Sequence, residues 1–302
     1  MAESGGERYM VSKPIYESEP KVNNIKRFIY LSSELISGSN CYVSKKWIYG
    51  IPDPNPHIPI HAHEYDQILL YMSIDPEKPQ VLGGEVEITI GGQQLKFNTT
   101  TGIFIPKELG PGNFTWKEVS KPHLVISFIL ASGSYRQVDP EITGQEKGKL
   151  LSESGAVDYE KYVVRSPLRE ITVPGTTGRQ DPSMSYISKL QIPEANYYLE
   201  YGWVYKIPDP NPGMHEHSHD FDEVVLHFGS DPDHPTDLGG EFVYYVDEQP
   251  LTFNTSNCGL VAKNLKHGPL TRNECSRAQV EMALMVGAGS FSESWDNSGI
   301  RG

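Results

Sequence analysis

Short stretches of alternating apolar and polar residues recur along this chain. Val86-Glu87-Ile88-Thr89-Ile90 alternates with period two and stops at Gly91-Gly92, as a strand with one buried face does. Phe242-Val243-Tyr244-Tyr245-Val246 has the same character, and Glu223-Val224-Val225-Leu226-His227-Phe228 reads as another strand. β-rich segments at regular spacing, separated by glycine and proline turns, predict an all-β sandwich or barrel. The best helical candidate is weak, within residues 147–162, where Glu, Lys and Leu cluster around a glycine. Residues 139–155 are polar and read as a linker; 290–302 are small and polar and are expected to fray.

The pattern occurs twice. A shift of 156 residues lays Trp47-Ile48-Tyr49 on Trp203-Val204-Tyr205 and Ile51-Pro52-Asp53-Pro54-Asn55-Pro56 on Ile207-Pro208-Asp209-Pro210-Asn211-Pro212. Leu82-Gly83-Gly84-Glu85 and Phe97-Asn98-Thr99 recur at the same shift. Trp47–Leu130 against Trp203–Val286 gives 30 identities in 84 positions without a gap, so the chain is a tandem duplication. Two domains are expected, 1–150 and 151–302. The paired proline segments fix φ and read as stiff loops leading into the following strand, with a lid over a barrel mouth as the functional alternative.

Composition narrows the function. A net charge of −13 with no Lys/Arg cluster makes nucleic acid a poor partner. No apolar run approaches the roughly 20 residues that span a bilayer, and Met1–Arg8 carries no apolar signal-peptide core. Three cysteines, Cys41, Cys258 and Cys275, argue against a disulfide framework and for a reducing, cytoplasmic setting.

The chemistry concentrates at His215-Glu216-His217-Ser218-His219-Asp220-Phe221-Asp222-Glu223. Imidazoles at i and i+2 share one face of a strand and can converge on one ion. Four residues of straight strand would separate Glu223 from His219 by roughly 13 Å between Cα atoms, so the chain must turn between them. Asp220 and Asp222 suit that turn. Lys266-His267-Gly268-Pro269 offers another histidine in a turn-rich setting. Imidazoles with a carboxylate suit a divalent first-row metal with open positions.

His217-x-His219-x3-Glu223 followed by His267 resembles the metal signature of the cupin superfamily. Places that hold proline and glycine before the last histidine in that family hold Ala262 and Asn264 here. The resemblance implies two tandem cupin-type jelly-roll barrels, a bicupin, with His217, His219, Glu223 and His267 as ligands of one divalent transition metal per chain. Iron is favoured, with manganese, nickel or zinc as alternatives. His215 lies outside the pattern and is assigned a non-ligand role.

Only the second half keeps the motif. His61 and His63 lie under His217 and His219, and Asp66 under Asp222, but Gln67 replaces Glu223, Pro111 replaces His267 and Pro59 replaces His215. His57 and His123 sit in no matching position. The first half is therefore expected to serve as scaffold; a substrate or metal pocket using Gln67 is the alternative. His227 follows Glu223 by four residues on the same strand face, where it is either a general acid or base or a buried, hydrogen-bonded histidine. Tyr71 is its counterpart. The resemblance implies a non-haem iron dioxygenase acting on a small organic molecule. The alternatives are an oxygen-independent metal-dependent decarboxylase, isomerase or lyase, and a non-catalytic small-molecule-binding bicupin. A homo-oligomer is compatible with each.

Overall fold

A computed structural model of the chain describes residues 8–17, 22–56, 64–107, 109, 111–130, 134, 158–172 and 175–295. It resolves into two compact units, one of residues 14–166 and one of residues 1–13 with 167–302. Each unit is built from a seven-stranded and a three-stranded antiparallel sheet. The strands obey the sequence repeat. Val81–Ile90, Gln93–Thr99, Thr101–Ile105, Pro111–Val119 and His123–Leu130 each reappear 156 residues later with the same length, as Asp237–Val246, Gln249–Thr255, Asn257–Val261, His267–Cys275 and Gln279–Val286.

In the second unit the large sheet runs Met10–Val11, Asn257–Val261, Asp222–Gly229, Gln279–Val286, Tyr197–Asp209, with Thr177–Arg179 and Met184–Ile187 both pairing with the last. The small sheet runs Gln249–Thr255, Asp237–Val246, His267–Cys275. Val225, Leu238, Phe242, Tyr244 and Leu270 form a buried cluster drawn from both sheets. Pairing Val225 with Ala283 and His227 with Glu281 puts these residues on one face of the large sheet, together with Glu223.

The domain boundary differs from the expected one. The N-terminal dozen residues, assigned by sequence to the first half, complete the second unit: Met10 pairs with Gly259 and Val11 with Cys258. Met10 is buried in the Phe242 cluster, and the Cβ that Gly259 lacks would run into its sulfur. In the same way Val163–Val164 closes the edge of the first unit against Thr101–Ile105. A two-residue strand has no period to read, so neither pairing shows in the sequence.

The described end of the helical candidate forms a 3-10 turn at Tyr159–Tyr162, capped by the Asp158 carboxylate; the rest of it, and the 139–155 linker, lie outside the described residues. Residues 291–295, expected to fray, form a helical turn with Ser290 and Ser294 buried. Among the described residues no helix is long and apolar enough to cross a membrane.

Candidate metal centre

His217 and His267 face each other across an isolated antiparallel bridge, each backbone N–H donating to the other's carbonyl at 2.9 Å. Gly268 allows the approach: its φ is +80°, and a Cβ there would lie 2.7 Å from the His215 carbonyl oxygen. The turn before His267 explains the departure at Asn264. This residue has φ +65° and donates its N–H to the His219 carbonyl at 2.6 Å. That left-handed conformation suits glycine best and asparagine next. The required turn after His219 is also present, with the Asp222 carboxylate accepting from Lys263 N–H at 2.9 Å. Asp66 makes the equivalent bond to Lys107 at 2.8 Å, so this pair of aspartates shapes the backbone.

The three imidazoles are oriented alike. Nδ1 of His217 meets the His215 carbonyl at 3.0 Å, Nδ1 of His219 meets the Phe221 carbonyl at 2.7 Å, and Nδ1 of His267 meets the Leu265 carbonyl at 3.0 Å. A carbonyl only accepts, so each Nδ1 carries the proton and each Nε2 of a neutral ring presents a lone pair. His219 is held further by stacking on Phe221, with centroids 4.0 Å apart. The three ligand atoms lie within 4.8 Å of one another. His215 is exposed and contributes through its backbone carbonyl.

Glu223 is the fourth member. Its Oε2 lies 3.2 Å from His219 Nε2 and 3.1 Å from His267 Nε2. Burial pushes this carboxyl up, but His219 and His267 outweigh it and hold it below the usual range. Burial pushes His267 down and Glu223 reverses that to a raised value, while burial and its neighbour His267 bring His217 down to about 4. Among the described residues the near neighbours of buried His267 Nε2 are the Glu223 carboxylate and the other two imidazoles. Lone pairs of neutral imidazoles aimed at a carboxylate repel it, so the cluster needs either a proton or a cation at its centre. A divalent metal, taking nitrogen and oxygen donors together, fits this set.

The cluster stands at a cavity of about 640 Å³ inside the second unit, whose wall includes Glu200, Glu223, His227, Tyr244, Arg272 and Glu281. His227 Nδ1 meets Asn257 Oδ1 at 3.0 Å, and the Asn257 amide is oriented by donating to the Thr255 carbonyl at 3.0 Å. His227 therefore carries its proton on Nδ1 and presents Nε2 as an acceptor; burial holds the ring down at about 4. Glu200 is its opposite. Burial pushes this carboxyl up to about 8, outweighing the lowering pull of Arg179 and of the Trp295 indole. Arg272, Glu281 and Glu200 escaped the sequence reading. The available signal was a carboxylate at Glu281 within a largely apolar strand, where the first repeat has Val125.

In the first unit, Gln67 donates from Nε2 to Ser127 Oγ at 3.0 Å, and Tyr71 packs edge-on against Phe97 at 4.9 Å. Both ring nitrogens of His123 are engaged, Nε2 with the Trp116 indole N–H at 3.1 Å and Nδ1 with the Lys121 carbonyl at 3.2 Å. His57, Pro59, His61 and His63 lie outside the described residues. The proline segments act as shaped loops: Asn211 clips the backbone of Arg272 by bonds of 2.7 and 3.0 Å, and Asn55 clips Trp116 at 2.9 and 3.1 Å.

No family model and no curated protein matches this sequence. Solved structures match the fold. Oxalate decarboxylase from Bacillus subtilis, described with Mn(II) centres, aligns with a TM-score of 0.57 and 12% identity over 94% of this chain and 78% of its own. AerE from Microcystis aeruginosa aligns with a TM-score of 0.53 and 9% identity over 92% of this chain and 99% of its own. At that identity the likeness establishes the architecture: two tandem cupin-type jelly-roll barrels.

Proposed function

We propose that the chain is a metal-dependent enzyme that acts on a small organic molecule in the second barrel without consuming oxygen, as a decarboxylase, isomerase or lyase. The observation that carries this is a cavity whose wall joins a cation-demanding cluster, through Glu223, to a neutral acid and a neutral base. His217, His219, Glu223 and His267 are the assigned ligands. Manganese or iron suits them, and the bound ion would supply Lewis acidity toward a substrate oxygen.

The proton chemistry belongs to the wall. A carboxyl pushed up to about 8 and an imidazole held at about 4 are the separated pair that acid and base roles require. At neutral pH Glu200 holds a proton to give, and His227 Nε2 has a lone pair to receive one. Removing a proton from one carbon and returning it to another is isomerisation. Protonating the carbanion left when carbon dioxide departs completes a decarboxylation. Likeness to an oxalate decarboxylase supports this reading over the dioxygenase that the motif alone suggested. A reducing, cytoplasmic setting belongs to the same reading.

The test combines elemental analysis with an oxygen electrode and carbon dioxide detection, using a panel of hydroxy and keto carboxylic acids. About one metal per chain and product without stoichiometric oxygen uptake are expected. One oxygen consumed per turnover would restore the dioxygenase; protein that takes up no metal would leave a binding module.

A further inference from the structure

Arg272 is 2% exposed, yet it lines the cavity. Its Nη2 donates to Glu281 Oε1 at 2.6 Å, and its guanidinium lies over the Phe242 ring at 5.6 Å. Nε and Nη1 are buried and have no partner among the described residues. Unmet donors on a buried guanidinium are costly, because desolvation is not offset by new hydrogen bonds. The position is also held firmly, since Asn211 bonds both its backbone N–H and its carbonyl.

The local charge does not balance. Glu281 sits between Arg272 and Arg179, whose Nη2 lies 3.7 Å from its other oxygen. Burial pushes Glu281 up, but the two arginines outweigh it and keep it ionised. Two guanidiniums on one carboxylate leave one positive charge. Of the other carboxyls on the wall, Glu223 is engaged by His219 and His267, Glu170 meets the Tyr198 hydroxyl, and burial pushes Glu200 up to about 8, so none of them is paired with Arg272. The internal duplicate makes the same point: the barrel with the broken motif has Trp116 and Val125 at the places of Arg272 and Glu281.

We infer that Arg272 anchors the carboxylate of the substrate, so that the enzyme takes carboxylic acids with an apolar body and a second oxygen function directed at the His217, His219, His267 and Glu223 cluster. A single net positive charge favours a monoanionic carboxylate over a dianionic phosphate. Length follows from the strand that carries both ends. His267 and Arg272 face Val246 and Phe242, four residues apart on the neighbouring strand because a bulge takes up one residue between them, which is roughly 13 Å between Cα atoms at the usual rise, with side chains reaching in from each end. The occupant is therefore longer than a two-carbon acid. Ile171, Met214, Val225, Leu270 and Phe291 supply an apolar wall for its body. This assignment rests on the reading of the second barrel as the active one.

The test is calorimetric titration of phenylacetate, phenylacetamide and inorganic phosphate into metal-stripped and manganese-loaded protein. In the stripped wild type, phenylacetate should bind at least about tenfold tighter than its amide, a gap of about 1.4 kcal/mol. Arg272→Gln should abolish that preference, and Arg272→Lys should restore part of it. Glu281→Gln removes the competing carboxylate and should raise the affinity for phenylacetate. Equal binding of acid and amide by stripped wild type overturns the anchor even if Arg272→Gln fails to fold. So does weaker acid binding in folded Glu281→Gln, and phosphate binding more tightly than phenylacetate overturns the carboxylate class. Acid preference without any metal uptake would instead refute the metal reading and leave the anchor standing.

Discussion

Deleting residues 1–13 should damage the barrel at the other end of the sequence. The deletion removes a strand from the edge of Asn257–Val261 and takes Met10 out of the cluster that contains Val225, Tyr244 and Leu270, all on the cavity wall. Truncating a buried methionine costs about 2–5 kcal/mol, and losing a buried valine adds about 2. The ladder hydrogen bonds add about 1 each. The Arg8–Asp247 ion pair, with both side chains about half exposed, adds little. A loss of at least 5 kcal/mol is a large share of the 5–15 typical of a domain. Urea unfolding followed by circular dichroism should show it, together with reduced metal content after gel filtration. Met10→Ala should reproduce about 3 kcal/mol of the loss. Gly259→Ala supplies the cross-check. Its new Cβ collides with Met10, so it should cost about 1–3 kcal/mol in the full chain and almost nothing in the truncated one. A truncated protein with the wild-type midpoint, or a Gly259→Ala penalty unchanged by the deletion, would refute the pairing of Met10–Val11 with Asn257–Val261.

Three further outcomes are expected. His219→Ala should lose most of the bound metal and His61→Ala little; two metals per chain, halved by His61→Ala, would contradict a site confined to the second barrel. For metal-stripped protein, His227 held at about 4 means the unfolded chain, at about 6.5, binds this proton first, so stability is full above pH 6.5 and falls toward pH 4. Over that window the loss is about 3 kcal/mol, and the drop between pH 7.5 and 4.5 should be smaller by about that much in His227→Leu; an equal drop in both proteins sinks the claim. Asn264→Ala should cost about 1 kcal/mol through its left-handed φ while Asn264→Gly is tolerated, an order that matched melting curves would check.

What the sequence disclosed depended on whether the physical cause was local. Strand positions were legible because alternation and glycine turns recur at one fixed shift. The clustering of His217, His219 and His267 was legible because i,i+2 imidazoles on a strand have few other readings. Asn264 looked like a departure from the family pattern, although its φ makes it a substitute for glycine. Thr271-Arg272-Asn273-Glu274 reads as a solvated polar run, yet Arg272 is buried. Its burial comes from register: it pairs with Phe242 and faces Glu281 across the barrel. Such facts belong to tertiary packing, which no single stretch of sequence contains.

The duplication lets the divergence of the two barrels be read position by position. In the first unit, Trp116 occupies the place of Arg272 and donates its indole N–H to His123, at the place of Gln279. Tyr71, at the place of His227, packs against Phe97 and Trp116. These four positions therefore satisfy one another with aromatic packing and an internal hydrogen bond. In the second unit the same places hold His227, Phe253, Arg272 and Gln279, and two nitrogens of Arg272 and both amide atoms of Gln279 are buried without partners among the described residues. Buried polar groups left open lower stability, and under the proposed anchor role of Arg272 this barrel trades packing for recognition beside the clustered histidines and Glu223. Gln67 at the place of Glu223 and Trp116 at the place of Arg272 are consistent with each other if Arg272 is the proposed carboxylate anchor. A wall that no longer needs to meet an anion is free to close on itself.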